Sequence, residues 1–176
     1  GSLLPVVGKV GAAFAALEIG SRVVGSLKDA VFAASDLNET ISKSKAIFGS
    51  SFAAVDAIAS KSAQTMGNSR SETLAAAAAY GDLYLQLGAT SKQSVTMSTS
   101  LLQMAADLGS FSNLETADVL ERVRAAMIGE YDPLQQLIPN ISAARVEHEA
   151  LALSGKTAAK GLTQLDKAMA VQAIIA

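Results

Sequence analysis

Apolar positions recur at helical spacing almost from the first residue. Leu3, Val10, Leu17, Val24 and Val31 repeat every seven residues, and Val7 and Phe14 fill the intermediate positions. That 3–4 spacing is the pattern of a coiled-coil seam. Ser21 and Lys28 interrupt the second row, so the stripe is regular early and broken late. Pro5 suits the first turn of this helix, where its missing N–H leaves no bond unmade. A long amphipathic, coiled-coil-like helix is expected over 1–34. Two readings of its stripe stay open: packing on its own domain, and a seam between chains.

Beyond residue 34 the continuous stripe gives way to short apolar segments, each set between a polar cap and a glycine. Ser35 or Asp36 opens a helix that stops at Gly49. Ser50 or Ser51 opens the next, over 52–66, with Gly67 after it. Ser69 and Glu72 form the S-x-x-E capping box before 74–87, and Gly88 closes that run. Thr90 or Ser91 opens a helix through Met97, Leu101, Met104 and Leu108, with Gly109 as its stop. Asn113 or Thr116 opens 117–128, and Gly129 follows. Asp132-Pro133 starts a short helical turn that Pro139-Asn140 breaks. Ser142 caps a helix through Leu153, Ser154-Gly155 ends it, and Thr163 with Asp166 opens the last helix over 165–176.

No stretch sustains the period-2 alternation of a half-buried strand. The expected fold class is all-α, a multi-helix bundle of short helices with the longer N-terminal helix. The expected organisation is that helix over 1–34 and a helical core over 35–176. Two helix–Gly–polar–helix units, 52–88 and 91–129, are loosely similar. Gly1-Ser2 reads as a remnant of cloning, and 170–176 runs apolar with no stop signal, so a piece of a longer protein is expected.

Composition strengthens the helical reading and removes most chemistry. The 176 residues include 34 alanines, the best helix former, and only 3 prolines. With no cysteine and one histidine, His148, disulfide scaffolds, thiolate metal sites and multi-histidine sites drop out. Aromatics make up 5% and tryptophan is absent, which disfavours a base- or sugar-stacking surface. A net charge of -2 and a pI near 5.4 lack the basic surplus of a nucleic-acid binder. The mean hydropathy of +0.32 raises the question of a membrane span. The most apolar stretch, 3–34, is broken by Lys9, Glu18, Arg22, Lys28 and Asp29. Its uncharged run over 10–17 is shorter than the roughly 20 residues a bilayer requires.

Candidate chemistry resolves into structural explanations. Ser154-Gly155-Lys156-Thr157 echoes a phosphate-binding loop, but the earlier glycine that motif needs is Ala150, and a helix precedes it in place of a strand. His148 stands between Glu147 and Glu149, and adjacent residues on a helix point to different faces. The carboxylates, such as Asp36, Asp56, Glu72, Asp82, Asp107, Asp118 and Glu121, mostly fall where they suit a helix N-terminus. The sequons at Asn38 and Asn140 coincide with helix starts and read as caps. Met97, Met104, Met127 and Met169 fall on apolar stripes and are expected in the core. The alanine run 75–79 is expected to let a neighbouring helix approach closely. No catalytic residue, metal ligand or cofactor is expected.

Several short stretches carry a resemblance when taken together. They are Ala34-Ser35-Asp36-Leu37-Asn38-Glu39 with Ile47-Phe48-Gly49, and Tyr80-Gly81-Asp82-Leu83 with Leu87-Gly88. Leu102-Gln103-Met104-Ala105-Ala106-Asp107-Leu108 with Ser110-Phe111 follows, then Met127-Ile128-Gly129-Glu130 with Pro133-Leu134, then Ile141-Ser142-Ala143-Ala144-Arg145-Val146-Glu147. In order and spacing the chain resembles the conserved core region of bacteriophage tail tape measure proteins. The motif positions are Tyr80, Gly81, Leu108, Phe111, Gly129, Glu130, Pro133 and Leu134. Two departures are Pro139, where the family pattern has a small or glycine residue, and the lack of an aromatic in the final helix.

The resemblance implies a structural protein of tail assembly and no enzyme. Such a protein is made in the host cytoplasm and lies as an extended helical chain in the tail tube lumen of the virion. Tube subunits polymerise around it, its length sets tail length, and it leaves ahead of the DNA at infection. Implied partners are tail tube and tail assembly chaperone proteins, with self-association, no direct nucleic-acid contact, and membrane contact only during ejection. The alternative is a non-phage helical module that uses the N-terminal heptads for interaction or oligomerisation.

Overall fold

The computed structural model describes residues 34–176. The expected seam residues Leu3, Val7, Val10, Phe14, Leu17, Val24 and Val31 lie outside the described residues. The chain divides into two units, Gly1–Thr40 and Ile41–Ala176. Of the first, residues 34–40 are described and are helical, with the Thr40 hydroxyl donating to the Asp36 carbonyl at 2.9 Å. Ala34 is already helical, so the expected cap at Ser35 or Asp36 is not formed, and both sit exposed on the helix.

The second unit is all-α, with no strand among the described residues. Its helices are α1 (41–48), α2 (Phe52–Ala59), α3 (Ser62–Thr65), α4 (Arg70–Gln86) and α5 (Ser91–Ser112). They continue as α6 (Thr116–Met127), α7 (Asp132–Gln135), α8 (Ala143–Ser154) and α9 (Gln164–Ile175). Helix α4 packs on α5 and α5 on α6, α2 lies against α4 and α5, and α8 forms a hairpin with α9 that rejoins the bundle through α6. No described helix is long and apolar enough to cross a membrane.

Local chemistry sets most of these boundaries. Ser69, Thr90 and Thr163 each close a capping box, with Glu72, Gln93 and Asp166 returning the bond. Ser142 accepts from the Arg145 N–H to start α8. Gly155, at φ +68°, closes α8 in the left-handed conformation that a Cβ disfavours.

Four further boundaries differ from the sequence expectation. The run over 52–66 is two helices, because serine hydroxyls there compete for backbone carbonyls. Ser60 donates to the Asp56 carbonyl at 2.8 Å, and buried Ser62 lies 2.8 Å from the carbonyls of both Ala59 and Asn68. The chain also enters α2 through a 3₁₀ turn (Gly49–Ser51) that starts left-handed at Gly49, φ +53°, and leaves Ser51 with helical backbone and no capping bond. Helix α5 runs through Gly109 and ends at Asn113, left-handed at φ 54°. Asn113 is thereby used to close α5, Thr116 is already inside α6, and uncapped Glu115 begins that helix.

The core is built from Leu74, Ala77 and Tyr84 of α4, Leu101, Leu102 and Ala105 of α5, and Val119, Val123 and Ala126 of α6. Val55, Leu134, Ile141, Val146 and Val171 extend it to the remaining elements. Full burial of each leucine contributes about 1.5–3 kcal/mol before chain entropy is counted. Alanine supplies much of the rest, which brings helix backbones close together.

Candidate functional site

The motif positions begin on α4, where two consecutive residues serve two different neighbours. Tyr80 is buried, and its hydroxyl donates to the Leu120 carbonyl of α6. Gly81 faces the other way, and a Cβ there would collide with the Phe48 ring and lie 3.2 Å from the Ser94 hydroxyl. The Ser94 hydroxyl in turn donates to the Gly81 carbonyl at 2.7 Å. Gly81 is thus a notch that seats an aromatic ring of α1 and a hydroxyl of α5.

The other motif positions are spread over the same unit. Leu108 is half-buried on α5, and Phe111 on its last turn is 90% exposed. Gly129 and exposed Glu130 form the turn after α6. Pro133 lies in the first turn of α7, and its carbonyl accepts from Arg122 at 2.9 Å. Leu134 is fully buried. Tyr80, Gly81, Gly129, Pro133 and Leu134 serve packing or turns, Leu108 is half-buried, and the side chains of Phe111 and Glu130 face solvent.

Polar chemistry in the interior is consumed by ties between helices. The Tyr84 hydroxyl donates to Gln172 Oε1 at 2.8 Å, and Gln172 Nε2 donates to the Met97 carbonyl at 3.1 Å. One amide therefore joins α4, α5 and α9. Burial pushes the phenols of Tyr80 and Tyr84 above the ordinary tyrosine value, so both stay protonated donors. Lys156, the lysine of the apparent phosphate loop, pairs with Asp166, which also accepts from the Thr163 N–H at 2.6 Å. The hydrogen bond from Lys156, with those from Thr163, holds the Asp166 carboxyl below its usual range. Gly155-Lys156 is thus a helix end fastened to the next helix start. Sequence reading found the Thr163–Asp166 box but not its lysine, because the partners come from separate elements.

His148 is exposed on α8, and no three His, Asp or Glu residues among those described come close enough to hold a metal ion. No buried side-chain nitrogen or oxygen among the described residues lacks a partner. Unused capacity lies instead on the surface. An open groove of about 410 Å³ runs between α4 and α6, lined by Ala79, Leu83, Ala117, Glu121 and Arg124. A second of about 410 Å³ flanks the other side of α6, with Glu121, Arg124, Ala125, Ile128 and Pro133.

The methionines correct the sequence expectation. Met127 is buried, but Met97, Met104 and Met169 are half-buried and line a groove of about 270 Å³ between α5 and α9. Beside them, Ala173 of α9 and Ala176 just past its end are too small to cover their side chains. The alanine run of α4 likewise divides, with Ala77 and Ala78 buried while Ala75 and Ala79 face out.

Compared with known proteins, the chain matches no family model, no curated protein and no solved structure.

Proposed function

We propose that this chain is a structural helical segment of a bacteriophage tail tape measure protein. In this reading it occupies the tail tube lumen, contributes to the length of the tail, and leaves ahead of the genome. Its partners are tail tube and tail assembly chaperone proteins, and it carries no catalytic activity. The observation that carries the reading is the ordered series of sequence stretches from 34–39 to 141–147. The packing roles of Tyr80, Gly81 and Leu134 add support, because they give those stretches a reason to recur in a structural protein.

The reading carries a physical requirement. At 1.5 Å per residue, a continuous rod of this chain would reach roughly 260 Å. A compact domain of this size has a radius of gyration near 16 Å by the usual scaling. The segment folds as a bundle before assembly and opens, or is threaded, when the tube forms around it. Electron microscopy of tails from a phage with an in-frame deletion of 41–176 tests the proposal. Tails that are shorter, defective or missing are expected. Normal tails of unchanged length would refute it.

A second reading, a helical interaction module outside any tail, is favoured by the exposure of Phe111 (90%), Ile128 (64%) and Leu153 (51%). Large apolar side chains held in water suit a surface that meets a partner.

A further inference from the structure

Helix α6 presents an outward stripe that is complementary to its own reverse, acid against base and small against large. Ala117, Glu121, Arg124 and Ile128 follow one another at spacings of four, three and four, which 3.6 residues per turn places within about 60° of arc. All four are exposed, Ile128 at 64%. The inward face of the same helix is occupied by Val119, Val123 and Ala126. Among the described residues, neither Glu121 nor Arg124 uses its side chain in a hydrogen bond or ion pair. Each of these two opposite charges also lines both grooves that flank the helix.

An antiparallel copy of this helix fits that stripe. A two-fold axis passing between Arg122 and Val123 sets Glu121 opposite Arg124 of the second copy, and Arg124 opposite its Glu121. The same axis sets Ala117 opposite Ile128 at both ends, a small residue against a large one. An isologous contact demands this self-complementarity, in which each position meets the one it is met by. Alanine at the contact allows the 8–10 Å axial separation of packed helices. The grooves on either flank leave room for side chains of the second copy beside the ridge. We propose that the second unit pairs with another copy of this chain through the α6 stripe, antiparallel and two-fold symmetric. The contact is one helix long, so the dimer is weak and concentration-dependent. It does not depend on the tail reading and can fail or hold separately from it.

Sedimentation velocity of the full chain over rising concentration tests the proposal. Glu121→Arg places like charges at both pairs, and so does Arg124→Glu. Each single variant is expected to weaken the dimer at least about tenfold. An equimolar mixture of the two variants restores both pairs with opposite signs on each copy and is expected to recover the dimer. The double exchange, E121R with R124E, is expected to recover it as well. A second measurement does not depend on these charges. The chain has no cysteine, so Ala117→Cys with Ile128→Cys is expected to give a covalent dimer under mild oxidation. Those two positions lie about 16 Å apart along one helix, beyond the reach of an internal disulfide. A wild-type chain that stays monomeric to about 1 mM would overturn the proposal. So would association that both charge reversals leave unchanged, a mixture that does not recover the dimer, or the absence of a covalent dimer.

Discussion

Removing the amide of Gln172 should loosen three helices at once. Tyr84 has no exposed surface, and its hydroxyl donates to Gln172 Oε1 at 2.8 Å. In Gln172→Ala that hydroxyl is stranded in the core, and an unsatisfied buried donor costs about 1–3 kcal/mol. Tyr84→Phe removes the donor itself, and the half-buried amide can turn to water, so about 0.5–1.5 kcal/mol is expected. Once the hydroxyl is gone, Gln172→Ala strands nothing. The double variant should therefore be less destabilised than the sum of the single ones, by about 1 kcal/mol. Urea unfolding of the full chain, followed by far-UV circular dichroism, measures the three differences. In thermal melts each kcal/mol corresponds to roughly 2–4 °C at this chain length. Strict additivity, with a coupling under about 0.3 kcal/mol, would refute the claim that this bond fastens α9 to α4.

Other residues give sharper contrasts. Gly109→Ala should destabilise by about 1–3 kcal/mol despite the higher helix propensity of alanine, because its Cβ would lie 2.7 Å from the Leu114 carbonyl oxygen. Chemical denaturation reads that sign directly, and a gain in stability would disprove the close approach. Leu134→Ala should cost about 2–5 kcal/mol, whereas Phe111→Ala should change stability by no more than about 0.5 kcal/mol. A large loss at Phe111 in the same assay would show that its ring is packed in solution. The depressed Asp166 carboxyl contributes stability that is complete above the ordinary carboxylate range and is lost as pH falls through its lowered folded value. Asp166→Asn should remove that acid-side loss, and melts from pH 7 down to about pH 2 should show a flatter profile than wild type.

What the sequence made legible was what fits inside four residues. The boxes at Ser69–Glu72 and Thr163–Asp166 formed as read, because a cap and its partner are neighbours along the chain. Glycine after an apolar run usually ends a helix, so by local pattern Gly109 is a stop. Its actual role depends on the backbone of Leu114, brought over it by the turn at Asn113, and no local pattern encodes that approach. The same limit hid Phe48 over Gly81 and Lys156 on Asp166. The methionines were misplaced for a related reason. Period alone identifies the apolar face, but the size of the opposing residues decides whether that face is covered. On the surface, the α6 stripe was visible as residues, but only the placement of α6 between two grooves separated it from any other charged helix face.

The buried serines of α1 and α5 that reach carbonyls of α4 have a consequence for how the bundle finds one arrangement. Ser44 donates to the Leu74 carbonyl at 3.2 Å and Ser94 to the Gly81 carbonyl at 2.7 Å, both beneath the surface. Small residues, such as Ala77 and Ala78 of α4 and Ala105 and Ala106 of α5, do little by themselves to fix how two helices align along their length. Between alanines alone, a displacement of one turn, 5.4 Å, loses little van der Waals contact. Hydroxyls that must reach a specific carbonyl do not tolerate that slip, and each displaced one would be left without a partner in a dry interior. The serines act as detents that add to the seating of the Phe48 ring at Gly81, so replacing Ser44 and Ser94 together by alanine should leave helix content unchanged while loosening the alignment of α1 and α5 on α4.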